Sequence, residues 1–85
     1  MKKKVINELI NILQSLNIDI KNVNINISSP KNKKFGDLST NISFQISKIL
    51  NQSPMEVANT ICNEINNSDS NLFTKVDAIE PGFIN

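Results

Sequence analysis

The chain has 85 residues, 39% of them apolar, and nine lysines against eight acids leave a net charge of +1. That length supports one domain with a single modest core, and that charge excludes attachment to nucleic acid by bulk electrostatics alone. No run approaches the roughly 18 apolar residues of a membrane-spanning helix, and the lone Cys62 excludes an internal disulfide.

Met1-Lys2-Lys3-Lys4 has the charge of a signal-peptide front, but Asn7, Glu8, Asn11 and Gln14 interrupt the apolar run that follows. Cytoplasmic residence is the expectation, in keeping with an unpaired cysteine. From Lys3 to Leu16 the apolar residues Val5, Leu9, Ile12 and Leu16 recur at helical spacing, widened by Ile6, Ile10 and Leu13, which predicts an amphipathic first helix. The period then changes. Val23-Asn24-Ile25-Asn26-Ile27 alternates strictly, the pattern of a strand with one wet and one dry face, and Ser28-Ser29-Pro30 ends it.

Lys31-Asn32-Lys33-Lys34 and Phe35-Gly36-Asp37 read as a basic loop in which Gly36 supplies an unusual backbone conformation. A second helix is expected to begin near Ser39 or Thr40, with Asp37 or Ser39 as N-cap and Ile42, Ile46, Ile49 and Leu50 as its buried stripe; Phe44 lies to one side. Asn51-Gln52 closes it. Ser53-Pro54-Met55-Glu56 then carries the capping-box signature, Ser before the helix, Pro at its first position and Glu at the third, and Ala58, Ile61, Cys62 and Ile65 make the inner face of a third helix. A polar turn runs from Asn66 to Asn71, and Leu72 and Phe73 are expected to dock on the core. Lys75-Val76-Asp77-Ala78-Ile79 reads as a strand, Glu80-Pro81-Gly82 as a turn, and Phe83-Ile84 as the start of a further strand where the chain breaks off. The class expected is α+β: three helices packed on one face of a small, mainly antiparallel β-sheet.

Catalytic equipment is sparse. The sequence has no histidine, which removes His-based acid–base chemistry and His metal sites, and Cys62 reads as a small buried hydrophobe. Two glycines, Gly36 and Gly82, cannot form a phosphate-cradling loop. No catalytic residue and no metal ligand is assigned. Alternation puts Phe83 and Asn85 on one face of the last strand and Ile84 on the other, so Phe83 is a candidate for exposure, although a lone Phe in a strand is more often core.

The segment from Pro30 to Gln45, with Gly36-Asp37, Thr40-Asn41 and the apolar helix that follows, resembles the amino-terminal domain of arginyl-tRNA synthetases. So do the Pro-opened helix at Ser53-Pro54 and the ending Pro81-Gly82-Phe83-Ile84-Asn85, with order and spacing matching over nearly the whole chain. One departure is Ile79-Glu80, standing where that family has Ala-Gly before the proline and adding a negative charge. The resemblance implies a tRNA-binding domain spanning residues 1–85, without a catalytic domain. Its partners would be the D-loop of arginine tRNA and the catalytic domain of the same polypeptide, with no DNA and no membrane.

The resemblance also implies that ATP and Mg²⁺ serve the parent enzyme and that this fragment holds no cofactor; class I signatures of the His-Ile-Gly-His and Lys-Met-Ser-Lys type are absent from the sequence. By position, stacking on a D-loop base falls to Phe83 and contact with that nucleotide to Asn85. The physics is compatible, because an unstacked loop base is held by an aromatic face. As the last residue given, Asn85 carries a terminal carboxylate, which repels phosphate. Lys31, Lys33 and Lys34 are candidates for phosphate contact, though a basic loop is commonly just solvated. Gly36, Asp37, Asn41, Pro81 and Gly82 are assigned to the structural motif, Asn41 by a loop-closing hydrogen bond. A protein-interaction or dimerisation module and a free-standing small RNA-binding domain are the alternatives.

Overall fold

The computed structural model describes residues 2–30, 38–69 and 72–85. Helix α1, Lys2–Ser15, buries Val5, Leu9, Ile12 and Leu13, the face its apolar spacing dictates. It stops where Asn17 turns left-handed at φ 60°. The Ile18 N–H then donates back to the Leu13 carbonyl at 3.0 Å, and the reversal tucks Ile18 into the core. Leu16 is only half-buried, at the edge of that core.

The alternating segment from Val23 keeps its two faces, with Val23, Ile25 and Ile27 against the core and Asn24 and Asn26 exposed. Only Ile27–Ser28, strand β1, joins the sheet. Upstream a side chain does the pairing. The Asn24 N–H donates to Gln45 Oε1 at 2.9 Å, and Gln45 Nε2 donates to the Asn24 carbonyl at 2.6 Å. A primary amide carries the same donor–acceptor pair as a peptide unit, so Gln45 stands in for a neighbouring strand.

Ser39–Thr40 forms strand β2 and not the start of a helix. Ile27 and Ile84 both lie opposite Thr40, and Ser28 lies opposite Ser39, so two partners far away in sequence override the capping preference of these residues. Helix α2, Ile42–Leu50, follows. Asn41 occupies its N-cap position without a side-chain cap bond, and Thr40 Oγ1 accepts from the Ile42 N–H at 3.3 Å. Of the two expected caps, Ser39 is therefore not one, and Asp37 lies outside the described residues. The buried face of α2 is Ile42, Ser43, Ile46 and Ser47. Ile49 and Leu50 are exposed, contrary to the expected stripe, because the two small serines turn the packed face of α2 away from them. Asn51, left-handed at φ 55°, ends this helix as Asn17 ends the first.

Helix α3, Pro54–Asn66, opens with the complete capping box: Ser53 Oγ accepts from the Glu56 N–H, and Glu56 Oε1 accepts from the Ser53 N–H, both at 3.2 Å. Its buried face is Val57, Ala58, Ile61, Cys62 and Ile65, and Leu72 and Phe73 pack against the same core. Strands β3, Ala78–Ile79, and β4, Phe83–Ile84, complete a four-stranded antiparallel sheet in the order β1-β2-β4-β3. Asp77 and Asn85 extend the last pairing by reciprocal backbone bonds of 3.0 and 2.9 Å. Three helices cover one face of the sheet, as the α+β expectation required.

Two outcomes follow for stability. Ser53→Ala removes the cap of α3 and costs about 1 kcal/mol, read as a lower urea midpoint with unchanged slope. Burial, with the nearby charge of Asp77 adding to it, pushes the Cys62 thiol from 9.0 up to about 11. The folded chain therefore favours the protonated thiol. That contribution is intact below pH 9.0 and is lost as pH rises towards 11. Urea titrations across this window should show Cys62→Ala losing less stability than the parent chain.

Candidate nucleic-acid interface

The face of the sheet away from the helices is set by strand alternation. Ile84 is 4% exposed and points into the core, whereas Phe83 is 40% exposed. Residues opposite one another in antiparallel strands share a face. Ile79 therefore accompanies Phe83, Ser39 accompanies Ser28, and Asp77 accompanies Asn85. These strands and the β3–β4 turn enclose an open groove of about 370 Å³, lined by Ser28, Pro30, Ser39, Ile79, Glu80, Phe83 and Asn85.

Its aromatic wall is braced. Phe44, at the start of α2, meets Phe83 edge to face, with ring centroids 5.2 Å apart and planes at 71°. Beside it Asn85 is held in a fixed orientation, because Ser39 Oγ donates to Asn85 Oδ1 at 2.9 Å. Among the described residues, the amide nitrogen of Asn85 has no hydrogen-bond partner. The charges here, among the same residues, are Glu80, without an ion pair, and Asp77, paired with Lys75 at 3.5 Å.

The turn that aims Phe83 leaves little room. The Gly82 N–H donates to the Ile79 carbonyl at 2.8 Å, and the Glu80–Pro81 peptide is cis. Gly82 is buried at φ 155°, and a Cβ there would lie 2.7 Å from Pro54 Cβ and 3.0 Å from the Pro54 carbonyl carbon. The β3–β4 turn thus rests directly on the start of α3, at a spot only glycine fits.

Of the residues singled out in the sequence, Phe83 and Asn85 come together on the groove, with Pro81 and Gly82 in its turn. Asn41 is exposed; its carbonyl accepts from the Phe44 N–H at 3.1 Å, and its side chain makes no cap bond. Lys31, Lys33, Lys34, Gly36 and Asp37 lie outside the described residues. Sequence reasoning missed Phe44 and Ser39 as members of this site. Phe44 was signalled by being aromatic and off the α2 stripe, whereas Ser39 carried no local sign. Among the described residues, no group of three or more Cys, Asp and Glu side chains could hold a metal ion, and no helix is long and apolar enough to cross a membrane.

Fold and face together define a small α+β module whose helices back one side of an antiparallel sheet while an aromatic–amide groove occupies the other. The chain belongs to the family described as the arginyl tRNA synthetase N terminal domain, whose model matches residues 1–85. It is 36% identical over 83 residues to an arginine–tRNA ligase of Mycoplasmoides gallisepticum, covering 98% of this chain and 14% of that protein. It is 35% identical over 63 residues to one of Thermotoga maritima, covering 74% and 11%. With one of Listeria welshimeri the identity is 41% over 56 residues, covering 66% and 10%. The chain thus spans about a tenth to a seventh of these relatives.

The fit of Gly82 against Pro54 gives a direct test. Gly82→Ala must displace one of the two segments and costs about 2 kcal/mol, measured by thermal denaturation.

Proposed function

We propose that this chain is the tRNA-binding domain of an arginine–tRNA ligase and that it holds an unstacked base of the tRNA D-loop against Phe83. The observation that carries the reading is an aromatic ring braced by Phe44 yet 40% exposed, beside an amide whose oxygen is already engaged. Loop bases are splayed out of the helix and are held by aromatic faces, with polar groups reading their edges. Phe83 supplies the face and Asn85 a donor for the edge. The arginine–tRNA ligases that the chain resembles supply the partner.

In this reading Lys31, Lys33 and Lys34 reach phosphates flanking the base. Charge on the described face supports such a division. Glu80 opposes phosphate there, Asp77 being paired with Lys75, whereas the base itself is uncharged. Arginine attachment, with ATP and Mg²⁺, belongs to the catalytic domain of the same polypeptide.

The test is titration with arginine tRNA at fixed low salt. A stacked base is worth about 1–3 kcal/mol, so Phe83→Leu, which keeps apolar bulk and loses the flat ring, weakens binding about tenfold. Replacing the D-loop nucleotide by an abasic site produces a similar loss, and the two changes together add little. Unchanged affinity in both single cases overturns the reading.

A further inference from the structure

Asn85 is held from both of the strands that flank β4. On the β3 side its backbone exchanges two hydrogen bonds with Asp77, of 3.0 and 2.9 Å. On the β2 side Thr40 lies opposite Ile84. One step along this antiparallel pair, Ser39 falls opposite Asn85 and on the same face. The Ser39 hydroxyl donates across to Asn85 Oδ1 at 2.9 Å, in part-buried surroundings. Ser39 is anchored in turn, because Ser28 lies opposite it in β1 and the Ser28 hydroxyl approaches its carbonyl at 3.5 Å. The backbone bonds to Asp77 set where the Asn85 side chain starts. Among the described residues, only the Ser39 hydroxyl sets where its amide points.

We propose that Ser39 is a positioning residue for RNA binding, acting through the amide of Asn85. The proposal rests on the RNA reading above and concerns the strength of binding alone. An Asn side chain free to turn must be ordered when it donates to a ligand, and that ordering opposes association. Ser39 orders it beforehand by holding the oxygen, which leaves the nitrogen aimed at the groove. Accepting from a hydroxyl also polarises the amide and strengthens its N–H as a donor. Ser39 carries no charge, so its removal leaves the electrostatics of the face as they were.

The experiment titrates arginine tRNA at fixed low salt against the parent chain, Ser39→Ala, Ser39→Thr, Asn85→Ala and the double alanine variant. Ser39→Ala weakens binding about fivefold, the scale of ordering one side chain, and Ser39→Thr, which keeps the hydroxyl, restores it. Asn85→Ala weakens binding at least as much, and removing Ser39 as well then changes little. A merely structural role for Ser39 would persist without Asn85. If Ser39→Ala binds like the parent, or its loss is undiminished in the Asn85→Ala background, while Phe83→Leu still weakens binding, the assignment to Ser39 fails and the RNA reading stands. If Phe83→Leu and the abasic D-loop change nothing, both fail. Nuclear magnetic relaxation of the Asn85 side-chain amide without RNA supplies a second measurement. The amide is ordered in the parent and in Ser39→Thr and loosened in Ser39→Ala; a freely turning amide in the parent overturns the proposal. Circular dichroism checks that each variant folds.

Discussion

Ile84 couples the two faces of this domain. It lies in β4, between β2 and β3, opposite Thr40 on one side and Ala78 on the other, and it is 4% exposed. Burying a side chain of this size is worth about 1.5–3 kcal/mol. Because a strand alternates with period two, a slip by one residue would send Phe83 inward and expose Ile84. The cost of that exchange holds Phe83 and Asn85 on the open face. Hydrophobic burial on one side thus positions polar and aromatic groups on the other.

Around that constraint the supports are local and rigid. Gly82 lets the turn rest on Pro54, Phe44 braces the Phe83 ring, and Ser39 fixes the Asn85 amide. Each belongs to a different element, so the groove depends on α2, α3, β2 and β4 being assembled together. A groove held this way loses little freedom when a planar ligand enters.

What could be read in the sequence was what local pattern controls. The stripe of α1, the capping box of α3 and the alternation of Phe83, Ile84 and Asn85 all appear in the structure where their spacing puts them. Strand β2 was hidden because Ser39 and Thr40 suit a helix cap and a strand equally, and their partners lie at Ile27, Ser28 and Ile84. The exposure of Ile49 and Leu50 was hidden because Ser43 and Ser47, polar by composition, are buried. On the groove, Phe83 and Asn85 were legible from alternation and resemblance. Ser39 and Phe44 were not, since their roles come from contacts spanning some 40 residues or more.

The strand order has a bearing on how the domain comes into being. Strands β2 and β3 are joined only through β4, although β2 precedes β4 by more than 40 residues. Closing so distant a pairing is slow relative to forming helices or neighbouring hairpins. As the chain emerges during synthesis, α1, α2 and α3 are complete well before the sheet has its central member. The groove exists only once that member is in place. A partly made chain thus has no groove, and whatever enters the groove meets an assembled sheet.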